Sequence, residues 1–223
     1  MPLHSALLHP LSEVEGLAIA VCRTGDTQLH VGLAYEHNED SVVFCHLAWH
    51  HRLRHDLDPP AQPHWSRSEL YWKDVSLHPI NRKVVAAWLE NLRHDSNRIP
   101  YGFDVRPPVF SEDGRYIPQA LGKGMTCATF VVEVYRSTSF TLVDEGTWPN
   151  RPAEDAHWQA EILARLADGH AGQDHVDALR NDIGCIRIRP EEVASATLQD
   201  TLPASFESCR ALAVQIKALF VTP

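Results

Sequence analysis

Apolar positions along the chain switch between two spacings, and the switch predicts a mixed architecture. Residues 16–22 (GLAIAVC) and 28–35 (QLHVGLAY) are short apolar runs either side of a Gly-Asp turn, which predicts two hairpin-connected strands. After the polar turn His37-Asn38-Glu39-Asp40, residues 41–49 (SVVFCHLAW) have the β-branched and aromatic content of a third strand. Residues 71–75 fit a further short one. The spacing then lengthens. Residues 81–93 (NRKVVAAWLENLR) place Val84, Val85, Trp88, Leu89 and Leu92 on one helical face, with Asn81 as cap. Residues 154–167 repeat the pattern with Trp158, Ile162, Leu163 and Leu166, and 203–220 with Leu212, Ile216 and Leu219. Residues 185–189 (CIRIR) alternate as a strand would. Residues 50–68 read as a loop, and 99–122 as a long connection of a kind that often carries function. Strands and helices without regular βαβ alternation predict an α+β fold. Residues 1–223 are expected to form one domain, with 141–223 as its C-terminal extension.

The chemistry concentrates where the pattern changes again. Residues 122–137 read GKGMTCATFVVEVYRS. After a flexible Gly-Lys-Gly lead-in, Thr126 can cap a helix, and Cys127, Phe130, Val131 and Val134 then share one stripe. TFVVEVY is β-branched enough to suit a strand; the cap and the stripe favour the helix. A cysteine at a helix start has two aids to nucleophilic chemistry. Helix dipole and backbone N–H groups favour the thiolate, and the same N–H groups can stabilise an oxyanion.

Such a thiol needs a base. In the strand over 28–35, His30, Gly32 and Ala34 share one face, while Leu29, Val31, Leu33 and Tyr35 share the other. The small residues beside His30 would let a helix approach closely. A third group, to orient the base, depends on hairpin register. An odd-numbered loop such as 38–40 sets His46 opposite Gly32, on the His30 face; an even one reverses it. Glu36 lies on the His30 face too, further along the strand.

Composition narrows the class. The net charge of −9, from 20 basic and 29 acidic residues, argues against a nucleic-acid surface. Five cysteines without a CxxC pair argue against a disulfide scaffold and for a reducing compartment. The N-terminal stretch lacks a basic n-region, and no apolar run reaches membrane-spanning length. A cytoplasmic location is expected, although export through a dedicated secretion machine would leave the same sequence.

Taken in order, these residues resemble the circularly permuted branch of the NlpC-type papain-like superfamily, the group of lecithin retinol acyltransferase and the YiiX-like proteins. HVGLAYEHNEDSVVFCHLAWH looks like that group's two-strand segment, with a histidine opening each half, and TCATFVVEVY like its cysteine helix. IPYGFDV is similar to the Tyr and Gly-Phe-Asp elements that precede the cysteine. The resemblance spans about residues 28–137. It implies a papain-like antiparallel sheet packed on the cysteine helix, with extra C-terminal helices. It also implies Cys127 as nucleophile, His30 as general base, His46 as orienting group and Tyr101 near the oxyanion. The activity would be an amidase, peptidase or thioesterase working through an acyl-enzyme on a small-molecule, peptide or lipid amide or ester. An acyltransferase of the same fold and an inactive papain-like binding module with a protein partner are the alternatives. Where the acyltransferases carry Asn-Cys-Glu-His-Phe, this chain has Thr126-Cys127-Ala128-Thr129-Phe130, which favours hydrolysis.

The histidine-rich run FCHLAWHHRLRHD suggests a second chemistry. His46 and His50 are four apart, as are His51 and His55, and Asp56 or Asp58 could join them in a metal site. The run reads as strand then loop, which breaks a shared face, so no metal or other cofactor is expected. Cys22, Cys45, Cys185 and Cys209 read as core thiols. Trp49, Trp65 and Trp72 either line a groove or pack the loop onto the sheet.

Overall fold

Six strands form one antiparallel sheet in the computed structural model, which describes residues 3–24, 28–38, 41–59, 69–93, 98–105, 107–169 and 171–221. The strands are β1 (His4–Ser5), β2 (Leu17–Thr24), β3 (Gln28–Asn38), β4 (Ser41–Trp49), β5 (Arg52–Leu57) and β6 (Leu70–Asp74), in the order β1-β6-β2-β3-β4-β5. The α-helices among the described residues are α1 (Pro79–Arg93), α2 (Cys127–Ser137), α3 (Pro152–Ala167), α4 (Gln173–Leu179), α5 (Pro190–Thr197) and α6 (Phe206–Ala218). The fold is therefore α+β. The Gly25-Asp26 turn, residues 39–40 of the second hairpin, Trp65 and the rest of 60–68 lie outside the described residues.

Strand alternation sorts the core into two layers. Leu17, Ile19, Val21, Leu29, Val31, Leu33, Tyr35, Val43, Cys45 and Leu47 pack with buried residues of α1, α2, α5 and α6. Ala18, Ala20, Cys22, Ala34, Phe44, Leu70 and Trp72 face the other way, onto Ala6, Leu11 and Val14 of the N-terminal segment. The cysteine helix thus covers the face opposite the small residues beside His30, not the face expected for it. The large side chains of Val31, Leu33 and Tyr35 offer more apolar area to bury, and the helix takes that area.

Residues 127–137 are helical despite three valines. Each costs roughly half a kcal/mol in helix propensity, about 1.5 kcal/mol in all. Full burial of a Val or Phe side chain returns about 1.5–3 kcal/mol, and Phe130, Val131, Val132, Val134 and Tyr135 are all buried. Burial therefore outweighs propensity. The start of α2 is a reciprocal capping box: Thr129 N donates to Thr126 Oγ1 at 3.2 Å, and Thr126 N donates to Thr129 Oγ1 at 2.8 Å.

Other elements depart from the pattern. Residues 52–57, expected within a loop, form the edge strand β5; its charged positions hide the alternation and suit an edge. α1 starts at Pro79, a favoured first helical residue, so Asn81 lies inside the first turn and Val84 is exposed. α6 starts later than expected, at a Ser205 cap that accepts from Ser208 N at 3.2 Å. Residues 185–189 belong to none of the strands among the described residues. Their alternation serves ion pairs instead. Arg187 and Arg189 both reach buried Asp155 on α3, at 3.1 and 3.0 Å, and the Arg187 guanidinium lies 3.5 Å over the Trp158 ring.

Removing Asp155 would leave these guanidinium groups short of their shared counter-charge in a largely buried setting. Asp155→Ala is expected to cost about 3–5 kcal/mol, read from urea denaturation against the parent protein. A loss below about 1 kcal/mol, typical of a surface ion pair, would show that the cluster does not hold the C-terminal segment.

Candidate functional site

The register of β3 on β4 builds the site. Pairing runs from Leu33↔Cys45 and Ala34↔Phe44 towards the hairpin end, with an irregularity between Glu36 and Asn38. Extended by one residue, this sets His46 opposite Gly32, the register expected of an odd loop, but Asn38 pairs with Ser41 and it is the irregularity between Glu36 and Asn38 that produces it. A Cβ on Gly32 would lie 2.6 Å from both the His46 Cβ and the Cys45 carbonyl oxygen, so only glycine permits the approach. Beyond this contact the central strands part. Residues 28–31 keep their partners on β2, while 46, 47 and 49 keep theirs on β5.

The parted ends hold a chain of buried side chains. His30 Nε2 and His46 Nδ1 are 2.7 Å apart, with the rings edge to face. His46 stacks on Phe44, and its Nε2 is 3.2 Å from Asp56 Oδ2. Arg54 donates to Asp56 Oδ1 through Nε at 3.0 Å and an Nη at 2.7 Å. His30, His46 and Asp56 are all at least nine-tenths buried. Glu36 is exposed on the distal part of β3 and takes no part.

Cys127 meets this chain from the other side of the sheet. The thiol, His30, His46, Asp56, Trp49 and Tyr101 line one cavity of about 460 Å³. The sulfur faces the backbone N–H groups of Val31, Ala128 and Cys127 itself. Among the described residues no hydrogen bond joins the thiol to the His30 ring. The parting of β3 from β4 is what lets a helix on one face and a histidine on the other share a cavity. Burial pushes the Cys127 thiol up from its ordinary value, against the downward pull of those N–H groups and the Arg187 charge. The net direction is opposite to the one a helix start alone would give. Burial, and then the proximity of His46, holds His30 well below the usual imidazole range, with Asp56 opposing. The resting pair is therefore a neutral thiol and a neutral imidazole.

Tyr101, far from Cys127 in sequence, is brought beside the helix start. It bridges Met125 in parallel fashion, and its backbone is clamped by two histidines. Tyr101 N donates to His50 Nδ1 at 3.1 Å, and His175 Nε2 donates to Tyr101 O at 2.8 Å. The ring lies 4.9 Å from that of Trp49. Gly102 and Gly124 pass backbone to backbone: a Cβ on Gly124 would come 2.3 Å from the Pro100 carbonyl oxygen. The Gly-Lys-Gly stretch is not a loose lead-in. Lys123 Nζ is tied to Asp104 at 2.7 Å and to Asp182 at 2.9 Å.

The histidine-rich run serves these contacts. His51 Nδ1 donates to Arg98 O at 3.1 Å, His50 holds Tyr101, and His55 faces Cys45 at 3.9 Å. Among the described residues no three His, Cys, Asp or Glu side chains converge to hold a metal. The residues missed from sequence are Asp56, considered only as a metal ligand, together with Arg54 and His175. Alternation in β5 could have shown that Asp56 shares a face with His46 had 52–57 been read as a strand. Cys22, expected purely in the core, is buried but also lines the Cys127 cavity. Trp49 lines it too, whereas Trp72 is buried in the opposite layer with Nε1 donating to His9 O at 2.8 Å. No described helix is long and apolar enough to cross a membrane.

Comparison of the chain with family models, with curated proteins and with solved structures gives no significant match.

Gly32→Ala is expected to destabilise the protein by about 1–3 kcal/mol through overpacking against Cys45 and His46, read from urea denaturation. The histidine side-chain NMR signals of His30 and His46 should shift with it. An alanine accommodated without either change would show that the close approach is not needed.

Proposed function

We propose that the protein is a cysteine-dependent hydrolase of amide or ester bonds, with Cys127 as nucleophile, His30 as general base and His46 as orienting group. The observation that carries this reading is that His30, bonded to His46, opens onto the cavity lined by the Cys127 thiol. The resemblance to the permuted NlpC-type papain-like group supports the same roles, and so does the capped start of α2.

The two neutral groups define the chemistry. A buried thiol is a poor nucleophile until it loses its proton, and a neutral imidazole is ready to take it. As the sulfur attacks a carbonyl carbon, the thiol proton passes to His30 and the carbonyl π electrons move to oxygen. The N–H groups at the start of α2 would receive that oxyanion, and by the resemblance the Tyr101 hydroxyl would be its side-chain donor. Collapse expels the amine or alcohol, which takes the proton from His30 and leaves a thioester on Cys127. Water, deprotonated by His30, then releases the acid. An acceptor amine or alcohol in place of water would make the same site an acyltransferase.

The test is acylation of Cys127 by a small activated ester such as p-nitrophenyl acetate, followed by intact mass and peptide mapping. Cys127 should be acylated fastest of the five cysteines, and His30→Ala should slow this by about 10²–10⁴-fold. Because the pKa of His30 is lowered, the base stays unprotonated as the pH falls through 6.5, the ordinary imidazole value. The acylation rate should therefore hold through that pH and fall only below it. Acylation of Cys127 no faster than that of the half-buried Cys185, or a rate indifferent to His30→Ala, would instead favour a binding module.

A further inference from the structure

The order of protons along the buried chain follows from its last member. A carboxylate oxygen accepts, so Asp56 Oδ2 at 3.2 Å requires the proton of His46 on Nε2. In the neutral form of His46, that order leaves a lone pair at Nδ1. His30 Nε2, 2.7 Å away, must donate to it. That leaves Nδ1 as the basic nitrogen of neutral His30. The reverse order would set a bare His46 Nε2 against the carboxylate, two acceptors facing each other in a buried site, which is costly. We propose that Asp56, held by Arg54, is a positioning residue that fixes the tautomers of His46 and His30 and so makes His30 Nδ1 the atom that takes the Cys127 proton.

Arg54 gives the inference its sharpest consequence. Its guanidinium donates twice to Asp56 Oδ1 and can only donate. In Asp56→Asn, Arg54 claims the amide oxygen and turns the NH2 group towards His46. Nε2 of His46 must then accept, its proton moves to Nδ1, and His30 Nε2 must accept in turn. The His30 proton is forced onto Nδ1, and the basic lone pair is lost from the atom that needs it. If Arg54 is also removed, its claim on the amide oxygen is gone, so that oxygen can turn back to His46 and restore the original order.

The kinetic part of this inference rests on the cysteine-hydrolase reading; the tautomer part does not. The experiment is long-range 1H–15N correlation of the imidazole nitrogens near neutral pH, paired with acylation of Cys127 by p-nitrophenyl acetate. In the unmodified protein both His30 and His46 should carry the proton on Nε2. Asp56→Asn should move both protons to Nδ1 and slow acylation about 100-fold, the lower end of what a positioned base contributes. The double variant Arg54→Ala with Asp56→Asn should restore both tautomers and most of the rate. A proton on His46 Nδ1 in the unmodified protein overturns the proposal, and that reading decides the matter even if Asp56→Asn does not fold. A folded Asp56→Asn with unchanged tautomers and rate overturns it as well. Tautomers as assigned, with Cys127 never acylated, would count against the hydrolase reading and leave the proton order standing.

Discussion

Gly32 against His46 is the contact on which the site depends. Two central strands of an antiparallel sheet ordinarily stay paired to their ends, so groups on opposite faces never meet. Here the backbone of β3 comes so close to His46 that a single methyl group would not fit, and past that point the strands go separate ways. The closeness brings the His46 ring within 2.7 Å of His30. The parting admits Cys127 from the far side. One residue without a side chain thus sets both the second histidine and the path of the thiol.

Burial then decides how the groups can work. In a low-dielectric setting an isolated charge is expensive, and cysteine and histidine avoid that cost in opposite directions, the thiol by keeping its proton and the imidazole by refusing one. A resting ion pair is disfavoured on both sides. On the proposed chemistry, charge would develop during attack, next to the N–H groups at the start of α2 and close to Arg187. The one resident negative charge assigned to the chain of side chains, on Asp56, is matched by the Arg54 guanidinium at its outer edge. The carboxylate beside His46 is therefore compensated rather than left alone inside.

Hydrophobic spacing makes much of this legible. β2, β3, β4, α1 and α3 follow directly from period-2 and period-3.6 runs, and Thr126 announces its cap because Ser and Thr hydroxyls suit that position. The placement of His46 is legible as a fork between two registers, since periodicity does not count loop residues. Which face α2 covers is not. Small neighbours beside His30 suggest room for a helix, but room does not drive packing. The larger apolar area on the Val31 face does, and comparing the two faces means weighing areas that only tertiary structure makes explicit. β5 is hidden because edge strands carry charges in place of the alternation that marks a half-buried strand. Asp56 is hidden with it.

The C-terminal third, which the resemblance does not reach, closes the site. α5 packs on α2, β2 and β3, so the face that holds Cys127 is covered by residues far along the chain. His175 on α4 fixes the Tyr101 carbonyl, Arg165 on α3 lines the Cys127 cavity, and Arg187 is near enough to pull the thiol pKa down. None of these groups is a candidate nucleophile or base. Without them, however, the Tyr101 backbone would lose one of its two histidine clamps and the helix start would lose its nearby positive charge. Residues 141–223 therefore belong to the site as its outer wall. The smallest unit able to hold the constellation is larger than the segment from the first histidine to the cysteine helix.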